Sequence, residues 1–293
     1  MRELFERESF ILSAGIWDAF SAKVVEQEGF KLLALLGSLA SRSLIGKADL
    51  GYITQTEMAD IARRVTLNTE APLIVDCDDG FGDSMIVRRT VQLFEQCGAA
   101  GVIIEDLKRP LFCSALGGGS LLPAEEMVNK IKAAVDVRED QNFFIIARTD
   151  NYEGVDEVIN RANTYGKAGA DLVFSVGLTS AEDHARVAKE SDIPLAAIQS
   201  QNAMYPLLPP ATLEEMGYKV AIYTRPLFGA AALGLQRAAR TLFNSLKNRS
   251  ALPVMEEEMA ALEAEEIVGR KEDVEIYKRY SKNIQTSINI NKR

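Results

Sequence analysis

The 293-residue sequence has one histidine, His184, and three cysteines, Cys77, Cys97 and Cys113. One imidazole excludes a multi-histidine metal site within the chain. Three scattered thiols, an odd number, argue against a disulfide framework and a structural zinc site, and they suit a reducing compartment. Positive charge is also in deficit. Against 42 Asp and Glu there are 33 Lys and Arg, a net charge of −9, so nothing electrostatic favours nucleic acid or an anionic membrane surface. No run of 18 apolar residues occurs, and the first ten residues (MRELFERESF) lack the apolar core of a secretion signal. The expectation is a cytoplasmic protein whose partners are small molecules or other protein chains. With 20 Gly, only 9 Pro and 47% hydrophobic residues, collagenous, low-complexity and disordered classes are excluded.

What is present is an alternation. Eight short apolar runs, at 10–17, 31–38, 72–78, 101–106, 143–150, 171–176, 194–198 and 218–223, alternate with helical periodicity at 19–28, 54–67, 85–97, 123–137, 155–167, 180–189, 213–216 and 226–247. Gly29, Gly98, Gly169 and Gly217 stand where helices should end and strands begin. The runs LIVDCD, GVIIED and FFIIARTD begin apolar and end polar, as buried parallel strands do when they deliver chemistry at their C-terminal edge. Eight such units predict an α/β fold, a (β/α)8 TIM barrel over 1–248, with a C-terminal helical extension over 249–293. The extension includes the acidic stretch MEEEMAALEAEE and reads as a solvated amphipathic helix packed on its own barrel or as a contact to another subunit.

Oxygen ligands gather at three strand ends. Asp76 and Asp78, two apart, are expected to project to one side, with Glu105 beside them from the next strand. Carboxylates crowded in a barrel mouth repel one another unless a hard cation joins them, and oxygen-only ligands select Mg²⁺ or Mn²⁺. The alternative is that they are helix caps and loop acids. Arg148, at the end of the fifth strand, is suited to gripping a carboxylate or phosphonate, or else to an ion pair with Glu105 or Asp150. The long loop 107–122, with its Gly117-Gly118-Gly119 run, reads as a lid. Cys113 lies within it, Cys77 and Cys97 read as packing residues, and His184 reads as solvent-facing.

These residues, in this order, resemble the phosphoenolpyruvate mutase and isocitrate lyase superfamily, in particular its short methylisocitrate-lyase-like and carboxyphosphonoenolpyruvate-mutase-like members. The stretches that carry the likeness are GIWDAFSAKVVEQEGF (15–30), ADLGYIT (48–54), VDCDDGFG (75–82), GAAGVIIED (98–106), LLPAEEMVNKIKAAV (121–135) and FFIIARTD (143–150). The resemblance implies Mg²⁺ held through Asp78, with Asp76 and Glu105 holding its waters. It places Asp49 near the site, a catalytic candidate with Arg148, Cys113 at the catalytic lid position, and Trp17 and Arg148 on the substrate; Gly37 and Ser38 follow Leu36 and are the candidate donors of a backbone N–H and a hydroxyl to the substrate. It also implies a homodimer or homotetramer built through exchanged C-terminal helices.

The departures are as informative. Where the lyases carry Lys-Arg-Cys-Gly-His, this chain has Leu111-Phe112-Cys113-Ser114-Ala115. Leu36, Val176 and Ile198 stand where the family has a serine, a glutamate and an asparagine. The acidic end of the mouth is kept and the opposite end is apolar. The expected function is a Mg²⁺-dependent carbon–carbon lyase acting on a 2-hydroxy or 2-oxo carboxylic acid through an enolate. The alternatives are a P–C mutase or hydrolase, an oxaloacetate-type decarboxylase or hydrolase, or a non-catalytic barrel serving as a binding or assembly subunit.

Overall fold

Continuous apolar runs can be buried on both faces only in a sheet that helices cover outside and side chains fill inside. The computed structural model has that arrangement. It describes residues 1–111, 119–150, 153–200, 207–248 and 261–280. Eight parallel strands close in sequence order into a barrel: β1 (Ile11–Ile16), β2 (Leu32–Leu35), β3 (Leu73–Asp76), β4 (Gly101–Glu105), β5 (Phe144–Asp150), β6 (Leu172–Val176), β7 (Leu195–Gln199) and β8 (Val220–Tyr223). Seven lie within the apolar runs, and β7 passes the end of its run by one residue, Gln199. The connecting helices are α2 (Ala19–Gln27), α4 (Gln55–Thr66), α5 (Ser84–Gln96), α6 (Ala124–Val137), α7 (Val155–Ala168), α8 (Ala181–Glu190) and α9 (Pro210–Met216). At the end of α7, Gly169 adopts φ +108° and lets the chain turn straight into β6, as its place in the sequence requires.

Three elements have no counterpart in the sequence reading. These are α1 (Arg2–Arg7), the single turn α3 (Gly37–Ala40) and the π-helical turn Ser41–Ile45 that continues it. Helix α1 closes the barrel floor. Its Leu4 is buried, Phe5 packs edge-on against Phe144 at 4.7 Å between ring centroids, and Arg2 binds Asp171 at 2.6 Å. The residues between β2 and α4 form one side of the mouth.

The β-strand period divides the core in two. One set of side chains, including Val75, Ile104, Ile145 and Ala147, packs outward against the helices. The alternate set, including Ile74, Ile103, Phe144 and Ile146, fills the barrel interior. At the C-terminal ends of the strands, the inward positions become those of the candidate site.

The chain separates into two compact units, Met1–Leu233 and Gly234–Arg293. Helix α10 (Pro226–Lys247), which follows β8, begins in the first and ends in the second. The division falls inside that helix. The second unit also contains α11 (Ala261–Ile267) and α12 (Arg270–Tyr280). Among the described residues, no helix is long and apolar enough to cross a membrane.

His184 corrects the sequence expectation. Its side chain is buried, only 2% exposed, with Nδ1 3.0 Å from the Tyr218 hydroxyl. Helix α8 is polar overall, but His184 and Val187 share its one buried stripe, and Tyr218 satisfies the imidazole there. Burial pushes the His184 pKa below its usual 6.5, partly countered by Asp183. Both folded and unfolded chains carry a neutral imidazole above that pH. Below it the unfolded chain takes up the proton first, so stability falls as the pH drops from about 6.5 towards the folded value. Urea unfolding at pH 7.5 and 5.5 is expected to show a loss of about 1 kcal/mol in the native protein beyond that of His184→Gln.

Candidate active site

β3 ends at Asp76, and the chain then turns so sharply that Asp78 takes a left-handed backbone (φ +48°), a conformation that aspartate tolerates better than most residues. Asp76 and Asp78 therefore converge through this turn and not through strand alternation. The Glu105 N–H donates to the Asp78 carbonyl at 2.8 Å, which fastens the turn to the end of β4. The Gly37 N–H, entering from the end of β2, donates to Asp76 Oδ2 at 3.2 Å. A Cβ on Gly37 would lie 3.2 Å from Asp78 Oδ1 and 3.5 Å from Asp76 Oδ2, so only glycine leaves the space between backbone and acids open.

Arg148 faces these acids from β5. Its residue pairs directly with Glu105 in the sheet register, and Nη1 lies 3.0 Å from Glu105 Oε2. Nη2 lies 3.2 Å from Asp150 Oδ2 on the same strand. Both ion pairs named as alternatives for Arg148 are thus formed.

Asp49, Gly51, Asp76, Asp78, Glu105, Leu111 and Arg148 line one small cavity of about 10 Å³, the space of a single water or small ion. Burial drives the carboxyl pKa of Asp78 and Glu105 well above the usual range, and Asp76 rises for the same reason, with Arg148 pulling each back down. Neighbouring carboxylates add to the rise. One guanidinium does not balance the acids gathered there. Among the described residues no three carboxylate, imidazole or thiol groups make a ready-formed cation cage. The donor chemistry nonetheless fits Mg²⁺ or Mn²⁺: oxygen ligands only, in carboxylates whose mutual repulsion a divalent ion removes.

The other inward strand ends are apolar. Leu36 and Val176 are buried in one cluster with Trp17, Ile198 and Phe228, and Trp17 packs edge-on against Phe228 at 5.1 Å between centroids. Trp17 therefore belongs to the apolar wall and not to the acid cavity. Ser38 is half-buried beside Gly37, its carbonyl accepting from Arg42 Nη1 at 2.7 Å. Cys113 lies outside the described residues. Cys77 and Cys97 are buried, as expected of packing residues.

The sequence reading missed the support around the cavity. Asp79, next to Asp78, takes both Nε and Nη2 of Arg109 at 2.8 and 2.6 Å, while the buried Lys130 donates to the Asp79 carbonyl at 2.7 Å. Arg109 stands at the root of the 107–122 loop. There Leu107 bridges to Leu121 in antiparallel fashion, and the Lys108 N–H donates to the Ser120 carbonyl at 2.8 Å. A lysine on the apolar stripe of α6 was the available signal.

A family model described as phosphoenolpyruvate phosphomutase matches residues 1–243. The chain is 36% identical over 250 residues to 2,3-dimethylmalate lyase of Eubacterium barkeri, covering 85% of each chain. It is 36% identical over 244 residues to 2-methylisocitrate lyase of Aeropyrum pernix, covering 83% of this chain and 78% of that one. Among solved structures, oxaloacetate acetylhydrolase in complex with the inhibitor 3,3-difluorooxalacetate superposes with a TM-score of 0.86 at 27% identity, covering 95% of both chains.

Proposed function

The chain belongs to the phosphoenolpyruvate phosphomutase family and is an enzyme of the PEP mutase/isocitrate lyase superfamily; on that premise we propose that it is a Mg²⁺-dependent carbon–carbon lyase. Its substrate in this reading is a 2-hydroxy dicarboxylic acid with apolar substituents, of the dimethylmalate kind. The observation that carries the reading is the division of one barrel mouth into two halves. Asp49, Asp76, Asp78, Glu105 and Arg148 form the polar half, and Trp17, Leu36, Val176, Ile198 and Phe228 form the apolar half. A second tightly anionic arm, such as that of a tricarboxylate, would meet no cation among these five residues of the apolar half. The names of the two lyase relatives support the reaction type.

Asp76, Asp78 and Glu105 are the residues that would hold the ion. When bound, Mg²⁺ supplies Lewis-acid stabilisation of the developing enolate. The chain's own groups account for the rest. Arg148 exchanges its Glu105 partner for a substrate carboxylate, and the Gly37 N–H and Ser38 offer further donors beside it. A base takes the proton from the 2-hydroxyl, the C2–C3 bond breaks, and C2 leaves as the carbonyl carbon of a 2-oxo acid. The electron pair stays on C3 as the enolate of the departing carboxylate, and Cys113 is the candidate donor of the proton that quenches it. The likeness to oxaloacetate acetylhydrolase favours one second reading, hydrolytic cleavage of oxaloacetate in the same mouth.

Exposed apolar side chains on α10, among them Leu233, Leu235, Leu242, Phe243 and Leu246, support assembly into homodimers or homotetramers through the C-terminal helices.

The test is to mix the purified full chain with racemic 2,3-dimethylmalate or oxaloacetate, with Mg²⁺ or with EDTA, and to follow 2-oxo acid release by coupled reduction and oxalate by chromatography. Mg²⁺-dependent release from dimethylmalate, slowed about 10²-fold in Cys113→Ser, is the expected result. Oxalate formed from oxaloacetate alone would select the hydrolase. No turnover, together with no Mg²⁺-induced thermal shift, would reduce the chain to a binding or assembly subunit.

A further inference from the structure

Asp106 follows Glu105, and Thr149 follows Arg148, so as Glu105 and Arg148 face the mouth these two face the helices. Asp106 is fully buried. Its Oδ2 accepts three hydrogen bonds: from Thr149 Oγ1 at 2.8 Å, Arg161 Nη1 at 3.0 Å and the Tyr165 hydroxyl at 2.6 Å. Its backbone N–H donates to the Arg148 carbonyl at 3.1 Å, and its carbonyl accepts from the Leu122 N–H at 2.7 Å. Arg161 Nη1 also donates to the Leu122 carbonyl at 2.9 Å, while Nε holds Glu157 at 2.7 Å. Asp106 thus ties the end of β4 to β5 and to helix α7 through its carboxylate, and to Leu122, where the 107–122 loop returns to the barrel, through its carbonyl and Arg161.

Packing alone does not explain this arrangement. Four polar side chains meet in a sheet–helix interface that is largely apolar, and Asp106 Oδ1 is buried with no hydrogen-bond partner among the described residues. An apolar set of equal volume would serve stability as well or better. What the polar set adds is direction. Short charge-assisted bonds fix the rotation of two strand ends, where the backbone of one residue sets the aim of the next.

We infer that Asp106, Arg161 and Tyr165 are positioning residues. From behind the sheet they set the aim of Glu105 and Arg148, and they hold the returning root of the loop in register with them. This rests on the lyase reading for its activity readout, though not for its geometry. In the full chain, Tyr165→Phe keeps the ring and removes two hydrogen bonds, the one donated to Asp106 and the one accepted from Arg161 Nη1 at 3.0 Å, and Asp106→Asn keeps an acceptor and removes the charge. Crystal structures of both variants are expected to show the Glu105–Arg148 pair displaced by about 0.5 Å or more from its 3.0 Å native contact. With 2,3-dimethylmalate and Mg²⁺, kcat is expected to fall about tenfold at a temperature where the variants are fully folded, with KM within about twofold. Asp106→Ala should fall further than Asp106→Asn. A merely structural role would lower the melting temperature and leave both the pair geometry and kcat per folded molecule unchanged, and that result would overturn the inference. If the native enzyme does not cleave dimethylmalate, the lyase reading fails on its own, and the crystallographic comparison still decides the positioning role: an unmoved pair in both variants refutes it.

Discussion

Replacing Arg148 by glutamine is expected to lower turnover of a 2-hydroxy acid by about 10²–10³, and to destabilise the protein as well. The two losses have one origin. Arg148 is the cation that faces Glu105 at 3.0 Å and Asp150 at 3.2 Å, all three with side chains largely out of water. Removing it leaves carboxylates buried without their partner, a change that typically costs about 3–5 kcal/mol. The catalytic loss follows from the same position. In the proposed reaction the guanidinium passes from Glu105 to the substrate carboxylate and holds the substrate in place, and deleting one such positioned donor costs on the order of 10²–10³ in rate. Lysine is expected to restore much of the stability and little of the rate, because an ammonium cannot span two acids in one plane. Steady-state kinetics and urea unfolding on Arg148→Gln and Arg148→Lys separate the two effects. Equal rates for lysine and arginine would show that charge alone matters and that the bidentate geometry does not.

The second large effect runs in opposite directions for stability and activity. Asp78 is crowded by Asp76, Asp49 and Asp79, and burial together with that repulsion raises its pKa well above the carboxylate range. A raised acid pKa means that the folded state resists ionisation, so the ionised cluster works against folding as the pH rises above the unfolded value and continues to do so at neutral pH. In metal-free buffer, Asp78→Asn is therefore expected to stabilise the protein by about 1–2 kcal/mol, a rise of a few degrees in melting temperature. The same substitution removes the side chain proposed to hold the ion. It should abolish any Mg²⁺-induced thermal shift and reduce turnover by at least 10². Scanning calorimetry with EDTA and with Mg²⁺ checks both halves. A variant less stable than the native protein in EDTA would show that Arg148 already neutralises the cluster.

The barrel was legible because each of its strands is an apolar run bounded by a glycine or a polar turn, and the parallel order follows once helices lie between them. The acids were legible for a related reason. Polar residues at the ends of buried strands have few structural uses, and Asp76, Glu105 and Arg148 all stand there. What the sequence hid depends on contacts between distant residues. The left-handed turn at Asp78 is fastened by a hydrogen bond from Glu105, and no local pattern announces it. Helix α1 reads as a charged segment until Leu4 and Phe5 meet the barrel floor. Arg161 and Tyr165 look like the ordinary i, i+4 neighbours of a surface helix, and only folding shows that they turn inward to Asp106. His184 misled for the same reason, since its partner Tyr218 is 34 residues away.

The bridge between Leu107 and Leu121 has a consequence for how such an enzyme diversifies. With its two roots held side by side, the connection between them can change length at little cost in closure entropy. Arg109 on Asp79, Leu111 in the acid cavity and the candidate donor Cys113 all belong to that stretch, so exchanging it between relatives would re-set the chemistry together with the selectivity.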